Sequence, residues 1–134
     1  MSTKIFVNLP VKDLDRSKDF YTELGYSINP QFTDENAACV VITDDIYAML
    51  LVQPFFKNFT KKDIVDATKR VEAIVALSTD SKQEVDELVG KALAAGGQPG
   101  DFSMDDDFMY GRSFQDPDGH NWEVFYMDPA AVQQ

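Results

Sequence analysis

Residues 114–125 read FQDPDGHNWEVF and contain the clearest structural signal in the chain. Pro117 presets φ at the second position of a turn, and Gly119 supplies the positive φ that closes it. Because runs typical of β-strands lie on both sides of this turn, the stretch predicts a β-hairpin. One acidic residue, Glu123, stands among apolar neighbours in the second strand. A buried carboxylate without compensation is costly, so we expect Glu123 to be paired, ligated or exposed to a wet cavity.

The rest of the chain predicts the order strand, helix, strand, strand, strand twice. Hydrophobic periodicity and capping signals place one helix at 14–24 and another at 82–95. The predicted strands are 4–10, 26–32, 37–43 and 46–53 in the first half, and 71–79, 98–103, 108–114 and 120–127 in the second. A repeated order of this kind indicates an internal duplication. We therefore predict an α+β fold of two βαβββ modules in tandem.

The length of 134 residues is that of a single domain with a substantial core. We place module one at 1–55, a connector at 56–70, module two at 71–128 and a frayed tail at 129–134. In the connector, Thr60 and Asp63 predict a short helix that ends near Thr68. The phenylalanines at the start of the connector form either a lid over a pocket or ordinary packing.

Charge and composition disfavour several classes of partner. Twelve basic and twenty-three acidic residues give a net charge of -11, which disfavours nucleic acid and anionic membranes. The N-terminus has no signal-like pattern, and no apolar run approaches the roughly 18 residues that span a membrane. Cys39 is the only cysteine, and its apolar neighbours indicate inert packing. We therefore expect a cytoplasmic protein that binds neither nucleic acid nor membrane.

Two segments resemble the signatures of a known superfamily: VNLPVKDLDRSKDFYTELG at 7–25 and FQDPDGHNWE at 114–123. In these segments the chain is similar to the glyoxalase, bleomycin-resistance protein and extradiol-dioxygenase superfamily, also called vicinal oxygen chelate proteins. The resemblance implies that each module has a curled mixed sheet and that the two form a shared cup for a small molecule. It also implies a homodimer. In metal-dependent members, one divalent ion is held by ligands on the first and last strands of each module.

The four ligand positions that the resemblance implies are mostly occupied by side chains that do not coordinate metal. We take Asp13 and Asp80 as the residues that open the two helices. Counting back the same number of residues from each gives Phe6 and Ala73 as the first-strand ligand positions. The last-strand positions are Met49 and Glu123. Because only Glu123 is retained as a ligand, we expect no metal site and no cofactor. A divalent metal is the less favoured alternative.

Glu123 is the candidate catalytic residue, and two roles stay open when metal is set aside. An apolar pocket would raise its pKa and make it a general base, whereas a cation such as Arg112 would keep it charged. Tyr110 and Arg112 share a strand face by two-residue spacing, and we expect that face to be the one that carries Glu123. His120, three residues from Glu123, points to the opposite face, where it supports the turn or takes a catalytic role.

Two functions from different classes fit these residues. The first is a bleomycin-resistance-like protein that binds a small organic molecule in an apolar cup. The predicted pocket comprises Phe6, Asn8, Met49, Leu51, Tyr110, Arg112 and Phe125. The alternative is a metal-dependent lyase or isomerase resembling lactoylglutathione lyase, or a dioxygenase-like enzyme, that uses Glu123. The identity of the ligand or substrate stays open.

Overall fold

The computed structural model describes residues 3–132, in which the order strand, helix, strand, strand, strand occurs in each of two units. The units are Met1–Asp66 and Ala67–Gln134. The first contains β1 (Ile5–Val11), α1 (Leu14–Glu23), β2 (Ser27–Asn29), β3 (Ala37–Val41) and β4 (Ile46–Val52), followed by α2 (Gln53–Phe56). The second contains β5 (Ile74–Ser78), α3 (Lys82–Ala94), β6 (Gln98–Asp105), β7 (Met109–Gln115) and β8 (Asn121–Met127). The predicted α+β fold of two βαβββ modules is confirmed.

Each unit is built on one four-stranded mixed sheet, and the two sheets have the same strand order. The order is β1-β4-β3-β2 in the first unit and β5-β8-β7-β6 in the second. The first strand of each sheet runs parallel to its neighbour, and the remaining pairs are antiparallel. Equivalent pairing in both halves is the structural form of the duplication that the sequence predicts.

In the first unit, α1 packs against one face of the sheet. The carboxylate of Asp13 caps this helix by accepting a hydrogen bond from the backbone N–H of Arg16 at 3.1 Å. Side chains at helical spacing then face the central strands β3 and β4. The buried residues of this layer are Leu14, Ser17, Phe20 and Tyr21 on the helix, and Ala38, Val40, Ala48 and Leu50 on the strands.

In the second unit, α3 covers the equivalent face of the other sheet. Ser81 caps it by accepting from the backbone N–H of Glu84 at 3.1 Å. The buried residues of this layer are Val85, Val89 and Ala92 on the helix, and Phe114, Trp122 and Val124 on the strands. The Phe114 and Trp122 rings are stacked, with centroids 6.4 Å apart. Burial of these large side chains stabilises the packing of α3 on its sheet.

A polar cluster joins α3 to β7 beside this core. The carboxylate of Asp86 accepts from the Tyr110 hydroxyl at 2.5 Å and from the Arg112 guanidinium at 3.1 Å. Tyr110 and Arg112 therefore lie on the helix-covered face, opposite Tyr126 and Val124 in register. Our expectation that they share a face with Glu123 is wrong, because side chains alternate along β7 and α3 supplies the acid on the other side.

The turn between β7 and β8 forms as the sequence predicts. The N–H of Gly119 donates to the carbonyl of Asp116 at 2.9 Å, and Gly119 has a φ of 92°. The Asp116 carboxylate, only 2% exposed, accepts from the backbone N–H groups of Asp118 at 3.0 Å and His120 at 2.9 Å. The backbone of His120 thus helps to close the turn, and its catalytic role stays a prediction.

Backbone from the start of the second unit crosses directly over this turn. A Cβ added at Gly119 would lie 2.6 Å from the carbonyl carbon of Ala67 and from the backbone nitrogen of Thr68. Main-chain atoms cannot swing aside as a flexible side chain does. Gly119 is therefore required both for its positive φ and for this close approach.

The connector and the tail differ from the sequence-based expectations. The predicted helix between Thr60 and Thr68 is not formed in this described segment, because the Thr60 hydroxyl accepts from the N–H of Lys62 at 3.1 Å in a local turn. A single 3₁₀ turn at Lys57–Phe59 precedes it. In the predicted tail, Pro129–Val132 form a 3₁₀ turn, and residues 133–134 lie outside the described residues.

None of the helices within residues 3–132 combines the length and the apolar character needed to cross a bilayer.

We predict that Gly119→Ala destabilises the second unit by about 3 kcal/mol or more, since a left-handed alanine costs about 1–2 kcal/mol and the clash with backbone adds to it. Gly96→Ala is the matched control, because Gly96 has a φ of 107° but no atom within 4 Å of the added Cβ. Urea unfolding of both variants provides the measurement. Equal losses in the two variants would contradict the role of the backbone crossing.

We also predict a pH-dependent contribution from Asp86. Hydrogen bonds from Tyr110 and then Arg112 lower the pKa of Asp86. A lowered pKa stabilises the fold above the unfolded-state value of about 3.9, and this stabilisation disappears as the pH falls through the folded-state pKa. Asp86→Asn should therefore cost up to about 1 kcal/mol at pH 7, a small value because the side chain is 52% exposed.

Urea unfolding of the wild type and Asp86→Asn at pH 7 and pH 3 provides the comparison. We expect the two curves to differ at pH 7 and to approach each other at pH 3. A constant difference across this range would show that the Asp86 charge does not contribute.

Candidate functional site

The first sheet has one face opposite α1, and this face gathers four of the predicted pocket residues. In the parallel pairing of β1 and β4, Phe6 lies opposite Tyr47, Asn8 opposite Met49 and Pro10 opposite Leu51. Directly paired residues project from the same side of a sheet. The predicted residues Phe6, Asn8, Met49 and Leu51 therefore line one surface, and their binding role stays a prediction.

The strand positions on this face carry no charged side chain, although 26% of the whole chain is charged. We call this set the uncharged face; it comprises Phe6, Asn8, Pro10, Ser27, Asn29, Ala37, Cys39, Val41, Tyr47, Met49 and Leu51. Burial varies across it: Leu51 is 3% exposed on the central strand, whereas Phe6 is 49% exposed on the edge strand. The face thus has an apolar centre and an accessible aromatic edge.

The accessible edge is an aromatic pair. The rings of Phe6 and Tyr47 are parallel within 8°, with centroids 4.7 Å apart. The Tyr47 hydroxyl donates to the carbonyl of Asp44 at 2.7 Å, and the Lys4 ammonium lies 6.0 Å from the centre of the Tyr47 ring. These contacts hold Tyr47 in place while about half of the Phe6 side chain stays open to solvent.

Cys39 lies at the centre of the uncharged face and is fully buried opposite Met49. Burial raises the pKa of the Cys39 thiol, so the thiolate that reacts or binds metal is disfavoured at neutral pH. This environment agrees with the inert packing role that the sequence predicts.

The second sheet has an equivalent face opposite α3, and it contains Glu123. In register, Glu123 lies between Ala76 on β5 and Ser113 on β7. Phe125, another predicted pocket residue, lies two positions along β8 on the same side, opposite Gly111. Glu123 and Phe125 are therefore brought together, whereas Tyr110 and Arg112 are not.

An irregular stretch of β6 completes this surface beside Gly111. The pairing of β6 with β7 shifts register between Pro99 and Ser103. In this bulge, the Ser113 hydroxyl accepts from the backbone N–H of Phe102 at 3.0 Å. A Cβ on Gly111 would lie 2.7 Å from the Phe102 ring, so that ring occupies the space that the glycine leaves. The aromatic wall beside Phe125 depends on this glycine.

The Glu123 carboxylate is half-buried and, within residues 3–132, has no hydrogen bond and no ion pair. The alternative in which Arg112 pairs with Glu123 is wrong, since Arg112 is paired with Asp86 on the other face. The other role that the sequence leaves open for Glu123 is that of a general base. That role stays a prediction.

The side chains at the four implied ligand positions do not fit a divalent metal ion. Because Ser81 rather than Asp80 caps α3, the first-strand counterpart of Phe6 is Ile74 rather than Ala73. The last-strand positions are Met49 and Glu123. Met49 lies two residues after Tyr47, which pairs with Phe6, and Glu123 lies two residues after Asn121, which pairs with Ile74. Two hydrocarbons, one thioether and one carboxylate are a poor set for Mn, Fe, Ni or Zn. Throughout the described part of the chain, no three His, Cys, Asp or Glu side chains are grouped to hold a metal.

Sequence reasoning missed three residues on these faces. Tyr47 lies two residues before Met49, so strand spacing was a sufficient signal for it. Phe102 gave no such signal, because a bulge changes which residues of β6 face which side. Ser113 gave none either, because its face depends on how β7 pairs with β8. The cross-strand register decides their place, and a single sequence does not contain it.

Comparisons with known proteins support the superfamily resemblance. The family described as bleomycin resistance protein-like N-terminal matches residues 3–43. No curated protein matches the chain. Among solved structures, hypothetical protein SA1046 from S. aureus is 30% identical, with a TM-score of 0.77, and the alignment covers 94% of this chain and 95% of that one.

Two more distant structures show the same fold. A glyoxalase/bleomycin resistance protein/dioxygenase family enzyme from Burkholderia phytofirmans PsJN has a TM-score of 0.76 at 16% identity, covering 95% of this chain and 100% of its own. TnmS3, an antibiotic binding protein from Streptomyces sp. CB03234, has a TM-score of 0.66 at 20% identity, covering 96% and 98%. With its signatures, its duplicated βαβββ order and these matches, the chain belongs to the glyoxalase, bleomycin-resistance protein and dioxygenase superfamily.

Proposed function

We propose that this protein binds a small, largely apolar organic molecule, as bleomycin-resistance proteins do, and that it does so without the metal of its superfamily. The observation that carries the proposal is the uncharged face of the first sheet, which stands out in a strongly acidic chain. Small-molecule sites are lined mainly by apolar and aromatic side chains with a few polar groups. Here Asn8 provides a polar group beside Phe6 and Met49.

Three side chains of the uncharged face suit a small, largely apolar ligand. Phe6 offers a half-exposed ring that is already held parallel to Tyr47. Met49 offers a flexible thioether that adapts to irregular apolar shapes. Among residues 3–132, the one hydrogen bond that the Asn8 amide donates is a long one of 3.4 Å, to the Phe6 carbonyl, so the amide is available to orient a bound molecule.

Further support comes from the antibiotic-binding neighbour, which shares the fold with this chain. The homodimer and the cytoplasmic location belong to the same proposal. Their support is the superfamily resemblance and a single, buried cysteine that suits a reducing compartment.

We predict that Phe6→Ala weakens binding of an apolar aromatic ligand by about tenfold or more, because it removes an exposed ring that the ligand would cover. Ile5→Ala is the matched control: Ile5 is 55% exposed on the same strand but faces the other side. A panel of such compounds, selected by thermal shift and measured by calorimetry, provides the affinities. Equal losses in both variants, or no binder in the panel, would contradict the proposal.

One observation favours a second function, that of an enzyme. The isolated, half-buried carboxylate of Glu123 is available as a general base, and the position corresponds to a superfamily ligand. The substrate class would then be that of a glyoxalase-like lyase or isomerase. Metal content separates this alternative, in its metal-dependent form, from the binding protein.

We expect protein purified without chelator to contain less than about one-half equivalent of Ni, Zn, Mn or Fe per chain, since Glu123 alone among the four positions has an oxygen ligand. Inductively coupled plasma mass spectrometry measures this directly. Near-stoichiometric metal would overturn the metal-free proposal. Turnover of a hemithioacetal that is lost in Glu123→Gln but kept in Glu72→Gln, an exposed glutamate before β5, would establish the enzyme instead.

A further inference from the structure

Three polar side chains lie next to one another on the face of the second sheet opposite α3. Gln115 is paired directly with Asn121, and Glu123 follows two residues after Asn121 on the same side of β8. Successive positions on one side of a strand are about 7 Å apart, so a single small molecule can contact all three side chains. We call Gln115, Asn121 and Glu123 the polar row.

The protein leaves the hydrogen-bonding groups of the polar row unused. The three side chains are half-buried, and in the stretch from residue 3 to residue 132 none of them makes a hydrogen bond or an ion pair. Ser113, opposite Glu123, is already engaged: its hydroxyl accepts from the Phe102 N–H at 3.0 Å and donates to the Phe102 carbonyl at 3.3 Å. Half-buried polar groups without a protein partner are groups that a ligand can satisfy.

The first sheet shows that the fold does not require polar side chains at these positions. Both sheets have the same strand order and pairing, so each member of the polar row has an equivalent in the first unit. The equivalents are Val41, Tyr47 and Met49. Two apolar side chains and one aromatic side chain serve the same fold there. The polar row therefore adds a chemistry that the first sheet lacks, and this difference points to recognition of a different ligand.

Aromatic side chains border the polar row at one end. Phe125 lies two residues after Glu123 on the same side of β8, opposite Gly111. The Phe102 ring fills the space that Gly111 leaves, and both phenylalanines are half-buried. A carboxylate accepts hydrogen bonds but donates none, and the face of an aromatic ring is electrostatically negative. Both features favour a positively charged donor.

We propose that the polar row binds a small organic amine in its protonated form. The ammonium group donates to the Glu123 carboxylate, and the amide oxygens of Gln115 and Asn121 accept its remaining protons. An aromatic ring attached to the amine packs against Phe125. Glu123 is the one charged side chain at the paired positions of β5, β7 and β8 on this face, so the site matches a single positive charge.

Charge complementarity favours an organic amine over other occupants. A chain of net charge -11 attracts cations and repels anions at long range. A divalent cation such as Ca²⁺ accepts amide and carboxylate oxygens, but its affinity depends on the number of charged ligands, and the polar row has one. One carboxylate is sufficient for one ammonium group, and the neighbouring rings add a contact that a metal ion does not use.

The test uses the full chain and benzylamine, with benzyl alcohol as a probe of similar shape without the charge. Titrations of ¹⁵N-labelled protein are followed by the backbone amide signals in NMR spectra, in about 150 mM salt to screen non-specific attraction to an acidic chain. We expect benzylamine to shift the signals of residues 121–125. It should bind at least about tenfold more tightly than benzyl alcohol, because a charge-assisted hydrogen bond is lost in the alcohol.

Two variants test the role of the carboxylate. Glu123→Gln keeps the shape of the side chain, and it should weaken benzylamine binding by about tenfold while leaving that of benzyl alcohol nearly unchanged. Glu123→Met introduces the residue type of the equivalent position, Met49, and should have at least the same effect. Glu72→Gln carries the same change in net charge as Glu123→Gln and should keep the wild-type affinity. The spectrum of each variant confirms that it is folded.

Four results would overturn the proposal. Benzylamine might shift signals away from residues 121–125, or bind Glu123→Gln as tightly as the wild type. Benzyl alcohol might bind as tightly as benzylamine, or CaCl₂ might displace benzylamine from the polar row, which would assign the row to a metal ion. Each of these failures leaves the proposal for the uncharged face intact, because that face lies in the first unit and none of the substitutions alters it.

Discussion

The hydrogen bonds that the buried Asp116 carboxylate accepts from Asp118 and His120 fix how β7 and β8 pair. That pairing decides which residues meet α3 and which face the other side. A slip of one residue would expose Trp122 and bury Glu123 against the helix. Burying an unpaired carboxylate in an apolar layer costs free energy, and this cost also disfavours the slipped register. The position of the candidate catalytic residue therefore depends on the turn that precedes its strand.

The alternation of side chains between the two faces of a strand explains which predictions succeeded and which did not. The order of elements follows from turn residues, helix caps and apolar periodicity, all of which are local, and so the fold was predictable. The grouping of Phe6 and Asn8, or of Met49 and Leu51, follows from two-residue spacing within one strand. Pairing between strands is different, because nothing local states which residue of β7 lies opposite Glu123. Arg112 was placed on the wrong face for this reason.

Two smaller errors have equally physical causes. Ser81 caps α3 by accepting a hydrogen bond from the backbone N–H of Glu84, so counting back from Asp80 placed the first-strand position one residue too early. The expected helix after Thr60 gave way to a shorter turn because a threonine hydroxyl bonds as readily to the second residue after it as to the third. In both cases local alternatives differ by about 1 kcal/mol, and the rest of the fold selects between them.

The backbone crossing at Gly119 has a consequence for how the protein is made. Residues 67 and 68 begin the second unit, yet the surface on which they rest is a turn near its end. Contacts between such distant parts of a chain form late, because a long loop must close before they contribute. During synthesis the first unit has all its strands before the second has its final hairpin. The second unit must therefore wait for its last strand to leave the ribosome, and until then its first residues and α3 have no finished sheet to rest on.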